Sequence, residues 1–372
     1  MFGSEQLRGA LKYPFPSLRR IERRFVFFAT PFSPLPQDVF LCVLWVIDLD
    51  LTTEDTERTE DYNRIMNGTL IVDKPAGMTS HDVVARVRRI IGERRVGHTG
   101  TLDPFATGVL VILVGKATRL LQFLSGAVKE YEAVIRFGYA TDTGDATGER
   151  LNVHARSQST QGLRKEDLEA AMASLRGEIN QVPPMYSAKK VKGQKLYELA
   201  RRGEQIERQP VKVTISEFAA AGDGQLLGLR DDGTTDLNVR VVCSAGTYVR
   251  TLAEDLGKQL GVAAHLSALR RTRAGRFKIE SAITLERLAE LAAANEVDNV
   301  MIPMDETVGH LPVVELSDID VRRVKNGLDI DFDSDHEHQR SIGLRSVSGQ
   351  LIAVGVYDAT RKIIHPQVVL GE

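Results

Sequence analysis

An aspartate in a glycine-rich turn is the first residue of the chain whose setting allows chemistry. Asp103 lies in the segment Gly97–Gly108, GHTGTLDPFATG, which is followed by the apolar run Val109–Val114. Small neighbours let a ligand approach the backbone closely, and a buried strand behind the turn would hold it rigidly. A carboxylate in that position can serve as a nucleophile or a base. Because Asp-Pro is also an ordinary turn signal, a purely structural turn is the alternative.

Basic residues cluster at three places in a chain whose formal net charge is only −2. The clusters contain, in chain order, Arg86, Arg88, Arg89, Arg94 and Arg95; then Lys189, Lys190, Lys192, Lys195, Arg201, Arg202 and Arg208; then Arg270, Arg271, Arg273, Arg276 and Lys278. One such cluster is commonly a solvated surface, but three together favour a groove that binds the phosphates of a polyanion. Tyr186 and Tyr197 flank the second cluster, where they either stack on unpaired bases or pack against the core.

The elements that must position these residues mix strands and helices without strict alternation, which indicates the α+β class. Apolar spacing predicts a strand over Gly68–Asp73 and then a helix capped by Thr79 or Ser80. The turn-rich segment 97–108 follows that helix and leads into a buried strand. Further strands are predicted at Lys129–Gly138, Val211–Phe218, Gln225–Leu229 and Leu237–Cys243, and further helices around Leu168–Leu175 and over Thr247–Leu260.

From Leu311 the pattern changes to a small β-rich unit of short segments. Ser317 is predicted to cap a helix that ends at Lys325. Short strands are expected around Ser341–Val347, Leu351–Tyr357 and Gln367–Leu370.

Composition excludes several classes of protein. A chain of 372 residues that is 42% hydrophobic and 26% charged is neither disordered, collagen-like nor a multi-spanning membrane protein. Cys42 and Cys243 match no disulfide framework or zinc spacing, which favours a reducing compartment. The apolar stretch Val39–Leu51 contains two aspartates and is too short to span a membrane. The acidic run Asp329–Glu337 is interpreted as a solvated loop rather than a metal site, so no metal is expected.

Residues 1–65 lack the regular pattern of the rest and contain the polar, linker-like stretch Thr52–Asp61 (TTEDTERTED). We expect them to form a poorly ordered extension. Met66 opens the regular pattern and is an alternative start of the mature protein.

Five motifs, in the same order along the chain, resemble those of the TruB family of tRNA pseudouridine synthases. They are Lys74–Ser80 (KPAGMTS), Gly97–Leu110 (GHTGTLDPFATGVL), Lys129–Tyr131 (KEY), Pro183–Lys192 with Leu196–Gly203 (PPMYSAKKVK and LYELARRG), and Ser244–Leu252 (SAGTYVRTL). The resemblance covers about residues 66–280, and the C-terminal unit is similar to a PUA-type RNA-binding domain. Residues 1–65 have no counterpart.

The resemblance implies a pseudouridine synthase fold, with a central mixed or antiparallel sheet flanked by helices. It places a catalytic domain at 66–310 with a basic thumb insertion at about 181–210, and a PUA-like domain at 311–372. It implies that uridine 55 in the T-loop of tRNA is converted to pseudouridine without cofactor or metal. A cytoplasmic monomer that binds the T-arm, needs no protein partner and contacts no membrane is expected.

The resemblance also assigns roles to individual residues. Asp103 matches the catalytic aspartate, and Arg250 matches the arginine that pairs with it. A buried carboxylate needs such a cation to stay ionised, and a guanidinium suits the task because it binds both oxygens. Tyr131 matches the aromatic residue that stacks on the uracil. Whether Asp103 attacks covalently or assists glycosidic cleavage is left open.

Four further residues are expected to bind substrate. His98 matches a histidine that stacks near the flipped nucleotide and helps to displace it. Tyr248 lies at a helix entry two residues before Arg250, where both can face one pocket. Lys74 and Lys129 are expected to reach RNA phosphates.

Three other functions compete with this interpretation. An RNA-binding protein without turnover has no need of a carboxylate in a polyanion site, so Asp103 and Arg250 argue against it. A dyskerin-like subunit that depends on guide RNA and protein partners shares the motifs, but the basic insertion at 181–210 favours a chain that grips tRNA alone. A metal-dependent nuclease would need clustered carboxylates or histidines around Asp103.

Overall fold

The computed structural model describes residues 66–151, 160, 162–187, 189–191, 193–204, 206–222 and 227–371. The expected N-terminal extension, Lys192, and the side chains of Lys190, Lys195, Tyr197 and Arg201 lie outside this description. No helix within it is long and apolar enough to cross a membrane.

Residues 68–278 supply all ten strands of a mixed sheet. Its strands are β1 (Gly68–Lys74), β2 (Val96–Thr99), β3 (Thr107–Val114), β4 (Lys129–Phe137), β5 (Gly177–Gln181), β8 (Val211–Ala220), β9 (Leu227–Leu229), β10 (Thr235–Cys243), β11 (Ala264–Ala274) and β12 (Phe277–Lys278). A separate hairpin is formed by β6 (Lys190–Val191) and β7 (Gln194–Lys195). The helices are α1 (Ser80–Ile91), α2 (Leu121–Leu124), α3 (Lys165–Ser174), α4 (Leu196–Arg201), α5 (Val249–Leu260), α6 (Leu285–Ala293) and α7 (Met304–Thr307).

The strand order is β1-β3-β11-β4-β10-β8-β5, with β2 on β3, β12 on β11 and β9 on β10. Neighbouring strands are antiparallel except for β3 and β11, which run parallel. Helices α3 and α5 pack on one part of the sheet, through Leu168, Met172, Leu252 and Leu256. Helices α1 and α6 cover another part, around β1 and β3. The predicted α+β class is confirmed.

Helix α1 shows why the local sequence folds as it does. Thr79 forms a capping box with Asp82, and Gly92 ends the helix in the left-handed conformation. Val83, Val84 and Val87 are buried on one face, as their spacing predicts.

The C-terminal unit is a five-stranded sheet ordered β13-β15-β16-β17-β14. Its elements are β13 (Val313–Leu316), α8 (Asp318–Lys325), β14 (Ile330–Asp331), β15 (Ser341–Ser346), β16 (Leu351–Asp358) and β17 (Ile363–Val369). Ser317 caps α8, as expected. Val354 and Val368 pack against Val109 and Leu113 of β3 in one hydrophobic cluster, so the two sheets share part of their core. The domain division at residue 311 stays a prediction.

The third basic cluster differs from expectation. It lies on β11, a strand that the sequence analysis did not identify. Arg270 pairs with Asp73 at 2.7 Å, and Arg273 pairs with Glu130 at 3.0 Å. Arg271 is fully buried and donates to the carbonyls of Val109 and Gly100. These three arginines therefore direct most of their donors to partners within the protein, although Arg271 Nη1 is buried without a hydrogen-bond partner in the described structure. The part that this cluster plays in a phosphate-binding groove stays a prediction.

Candidate active site

The loop between β2 and β3 presents Asp103, and several contacts fix it. Leu102 is buried, and the Ser80 hydroxyl at the start of α1 exchanges hydrogen bonds with its backbone N and O, at 2.9 and 3.2 Å. Gly108 ends the loop at a φ of +98°, with a Cβ position only 2.2 Å from the Arg271 carbonyl oxygen. Only glycine fits there, because β3 and β11 approach so closely.

Arg250 binds the Asp103 carboxylate with two nitrogens. Its Nε lies 2.9 Å from Oδ2, and its Nη2 donates to Oδ1 at 3.1 Å. The arginine is the second residue of α5 and is 4% exposed, whereas Asp103 keeps 33% of its side chain exposed. The pair therefore has a buried cationic end and a carboxylate accessible from outside, which suits chemistry on a bound molecule.

The remaining donors of Arg250 join this pair to other segments. Nη1 donates to the Thr143 carbonyl at 2.8 Å and lies 3.4 Å from Asp145 Oδ2. Nη2 also donates to the Tyr186 carbonyl, at 2.7 Å, at the base of the insertion 181–210. One guanidinium thus connects the Asp103 loop, the 141–148 turns and the insertion.

Asp145 is a site residue that the sequence analysis missed. It is buried, and its Oδ1 accepts from Thr143 Oγ1, Thr147 N and Thr147 Oγ1 at 2.6–3.0 Å. The signal was an aspartate between threonines in TDTGDATG, which resembles an ordinary turn.

The ionisation of Asp103 is set by opposing effects. Burial raises the pKa of Asp103, and the nearby Asp145 charge adds to the rise, whereas Arg250 and Lys74 lower it. Because a guanidinium contacts both oxygens and a third of the side chain remains exposed, we take the carboxylate to be ionised at neutral pH.

Lys74 does not reach the surface. It is fully buried, and its ammonium donates to the carbonyls of Pro75, Pro104 and Ala106 at 2.6–3.1 Å. Burial lowers the pKa of Lys74 to about 8, although the Asp103 charge opposes this effect. The expectation of an RNA phosphate contact is corrected, because two of the ammonium protons hold the Asp103 loop and the third bonds to the neighbouring Pro75 carbonyl.

Tyr131 lies on β4 beneath that loop, in the same buried cluster as Leu102 and Ala106. It is 6% exposed. Burial raises the pKa of the Tyr131 hydroxyl, while the neighbouring Arg271 guanidinium opposes the rise. The structure therefore places Tyr131 beneath the loop that carries Asp103 and beside Arg271.

Tyr248 caps α5 rather than lying inside it, so the helix begins two residues later than predicted. The Gln181 side chain holds its backbone on both sides, accepting from N at 3.0 Å and donating to O at 3.3 Å. Burial raises the pKa of the Tyr248 hydroxyl. Tyr248 thus lies where the insertion leaves the sheet.

His98 and Lys129 lie on the β2 and β4 side of Gly100. His98 packs edge-on against His81, with ring centroids 5.4 Å apart, and its Nδ1 is buried without a hydrogen-bond partner in the described structure. Burial, with the charges of His81 and Arg271, lowers the pKa of His98 to about 4. Lys129 is half-buried, and burial followed by the Arg271 charge lowers its pKa.

Within the described residues, no three or more His, Cys, Asp or Glu side chains come close enough to hold a metal ion. The acidic residues at 329 and 333 instead pair with Arg361, His365 and Lys362.

Family models match most of the region that forms this site. The model described as TruB family pseudouridylate synthase (N terminal domain) matches residues 88–249, and that of the tRNA pseudouridylate synthase B C-terminal domain matches residues 250–309. The tRNA pseudouridine synthase B of Geobacillus thermodenitrificans (strain NG80-2) is 47% identical over 265 residues, which is 70% of this chain and 85% of that protein. The chain belongs to the TruB family of pseudouridylate synthases.

A second TruB relative, from Thermobifida fusca (strain YX), is also 47% identical, over 77% of this chain and 94% of its own. Among solved structures, a chain of an H/ACA RNP bound to a substrate RNA containing 2′-deoxyuridine matches with a TM-score of 0.62 and 25% identity, over 84% of this chain and 87% of its own. A chain of a Cbf5-Nop10-Gar1 complex matches with a TM-score of 0.61 and 27% identity, over 84% of this chain and 85% of its own. The expected pseudouridine synthase fold is confirmed, and this TruB family member is an enzyme.

Proposed function

We propose that this TruB family enzyme converts uridine 55 in the T-loop of tRNA to pseudouridine. Two relatives that are 47% identical are named tRNA pseudouridine synthase B. In the proposed reaction the C1′–N1 glycosidic bond breaks, the uracil turns, and a C1′–C5 bond forms. The atoms of the nucleotide are conserved, so the reaction needs no oxidant and no second substrate.

The observation that carries the proposal is the Asp103–Arg250 pair. A carboxylate that is exposed on one side and held by two guanidinium nitrogens on the other can act on a molecule in front of it without losing its charge. Because C1′ and the uracil face are hidden in stacked RNA, the uridine must be flipped out to reach this carboxylate. We assign Asp103 as the catalytic group and Arg250 as the residue that keeps it ionised.

Neighbouring side chains complete the proposed site. Tyr131 lies under the loop, where its ring supports the uracil and its hydroxyl can move a proton. His98, neutral because its pKa lies near 4, supplies an uncharged ring beside the flipped nucleotide. Tyr248 and Lys129 contact the substrate from the α5 and β4 sides. Lys74 is assigned to holding the loop.

The substrate RNA is gripped on both sides of this site. The first basic cluster is exposed along α1 and just beyond it, with Arg86, Arg89, Arg94 and Arg95 open to solvent. We propose that it contacts phosphates together with the thumb at about 181–210, and that the PUA-like unit at 311–372 contacts more of the tRNA. In this proposal the enzyme is a cytoplasmic monomer.

A guide-dependent enzyme is the competing proposal, because matching solved chains come from H/ACA and Cbf5 complexes. The test is to incubate the purified chain with an unmodified tRNA transcript, without guide RNA or other proteins, and to map pseudouridine chemically. We expect modification at uridine 55, and none in a transcript with cytidine there. No product without added guide RNA would overturn the stand-alone function.

The same assay tests the carboxylate. Asp103→Asn keeps the size of the side chain and removes its charge. We expect the rate to fall by ~10²–10⁴-fold, the usual contribution of a positioned acid or base, while tRNA affinity changes little. Full turnover by this variant would contradict the assignment of Asp103.

A further inference from the structure

A cavity of about 420 Å³ lies beside the Asp103 loop, and of its lining residues only Lys129 has a part in the proposed function. It is bounded by Thr99 and Gly100, by the segment 123–129, and by the end of β11 with the residues that follow. Its volume is in the range of pockets that bind small organic ligands. Its walls include the apolar side chains of Phe123, Val128 and Phe277.

The charged side chains that line this cavity are all basic. Lys129, Arg273 and Arg276 line it, and none of the lining residues that the structure describes is acidic. Arg273 pairs with Glu130, which Arg240 also contacts, so one carboxylate is shared between two guanidinium groups. Arg276 donates to the Glu306 carbonyl, and no carboxylate in the described part of the chain lies within ion-pair distance of Lys129 or Arg276. The cavity therefore favours an anion.

The cavity adjoins the proposed catalytic site. Gly100, the first residue of the loop that carries Asp103, lines the cavity, and a Cβ on Gly100 would lie 3.0 Å from Lys129 Cε. Lys129 and Tyr131 are two residues apart on β4, so their side chains leave the same face of the strand about 6.6 Å apart. That separation is comparable to the length of one nucleotide.

We propose that this cavity binds the nucleotide next to the isomerised uridine in the substrate RNA. Its phosphate contacts Lys129 and Arg276, and its base, unstacked from the RNA, packs against Phe123 and Phe277. Phosphate contacts of this kind position an RNA, and apolar walls accept any base face. The proposal rests on the proposed function, since it needs an RNA whose uridine lies at Asp103.

A matched pair of variants tests the charge. Ser125 is exposed, lines the cavity and has no role in the proposed chemistry. Ser125→Glu places a negative charge near the phosphate, whereas Ser125→Gln has the same size and no charge. We expect Ser125→Glu to raise KM for unmodified tRNA by about tenfold at low salt and less at high salt, with kcat unchanged. Equal KM values for the two variants would overturn the phosphate contact.

A second pair of changes tests the base. Gly126 lines the cavity, and a Cβ there meets nothing within 4 Å, so Gly126→Trp can fill the space without backbone strain. RNAs with an abasic site on the 5′ or the 3′ side of the uridine remove the ligand instead. We expect one of them to raise KM for the wild-type enzyme, and Gly126→Trp to add nothing further with that RNA. The proposal would be overturned if Gly126→Trp and the abasic RNA raised KM additively, or if neither raised it.

The outcomes separate the two proposals. If the wild-type enzyme forms no pseudouridine, the proposed function has failed. If it does, but the Ser125 variants and the abasic RNAs behave like their controls, only the cavity assignment has failed. Melting curves establish that each variant is folded, and the wild-type enzyme with abasic RNA decides the matter if Gly126→Trp is not.

Discussion

Arg250 Nε and Asp103 Oδ2 lie 2.9 Å apart, although 147 residues separate the two in the chain. The guanidinium also lies 3.4 Å from Asp145. A single buried cation therefore serves two carboxylates, of which only Asp103 is accessible from outside. This arrangement gives Asp145 a supporting role, because it helps to fix the arginine that holds Asp103, the proposed catalytic residue.

Arg250→Lys should separate catalysis from tRNA binding. A lysine keeps the charge, but it cannot bind both Asp103 oxygens and also reach Thr143 and Tyr186. We expect kcat to fall by ~10²-fold or more, with tRNA affinity nearly unchanged, as for loss of a preorganised electrostatic contact. Single-turnover rates and filter binding measure the two quantities. A wild-type rate would show that the bidentate geometry is not needed.

Lys74→Met should destabilise the protein. The substitution leaves the Pro75, Pro104 and Ala106 carbonyls without their donor and removes a buried charge near Asp103. We expect the free energy of unfolding to fall by about 3 kcal/mol, measured by urea denaturation. The control is Lys258→Met, since Lys258 is 70% exposed and should change stability by less than ~0.5 kcal/mol. Similar losses in both variants would argue against the buried anchor.

Gly108→Ala tests the close approach of β3 and β11. A methyl group there would lie 2.2 Å from the Arg271 carbonyl oxygen, at a φ of +98°. We expect a loss of at least ~3 kcal/mol, seen as a lower Tm. Gly233 has a φ of +79° and open space around its Cβ position, so Gly233→Ala should lose only about 1 kcal/mol. Equal Tm values for the Gly108→Ala and Gly233→Ala variants would mean that β3 and β11 can move apart to accept the methyl group.

His98 should make stability depend on pH. Because its pKa is lowered from 6.5 to about 4, the folded protein binds fewer protons than the unfolded chain between those values. Stability therefore falls as the pH drops through this window. We expect His98→Phe to reduce the loss between pH 7 and pH 5 by about 2 kcal/mol in urea denaturation.

The control for this experiment is His338→Gln. The His338 side chain is 51% exposed and lies 3.7 Å from Asp358, so this variant shows how much of the change comes from removing a histidine at the surface. An unchanged loss in His98→Phe would show that other groups set the acid sensitivity.

Local patterns predicted much of the fold. The helix at 80–91 follows from its cap and its apolar spacing, and the run Val109–Val114 from continuous apolarity. Strand β11 escaped notice because Arg270, Arg271 and Arg273 interrupt its apolar pattern. Each of those arginines bonds to a partner on another strand, and a linear pattern does not show these partners.

In the candidate site, too, local motifs were predictable and contacts between distant segments were not. Sequence motifs predicted Asp103 and Arg250 as a pair, and the fold brings them into contact. The sequence predicted that Lys74 contacts a phosphate, as exposed lysines can. In the structure Lys74 is buried, and its ammonium donates to three backbone carbonyls. Asp145 has no distinguishing local signal, since its role depends on Arg250.

The shared packing around β3 has a mechanical consequence. Successive residues of this strand face opposite ways, with Leu110 and Ile112 toward α1 and α6, and Val109 and Leu113 toward the C-terminal sheet. Strand β3, which follows the Asp103 loop, is therefore packed on both faces. The C-terminal sheet cannot move away from it without exposing apolar side chains to water. If the C-terminal unit contacts the tRNA, as proposed above, the RNA must fit a fixed distance between that unit and the Asp103 loop, so the length of its stem, and not only the sequence of its loop, affects the choice of substrate.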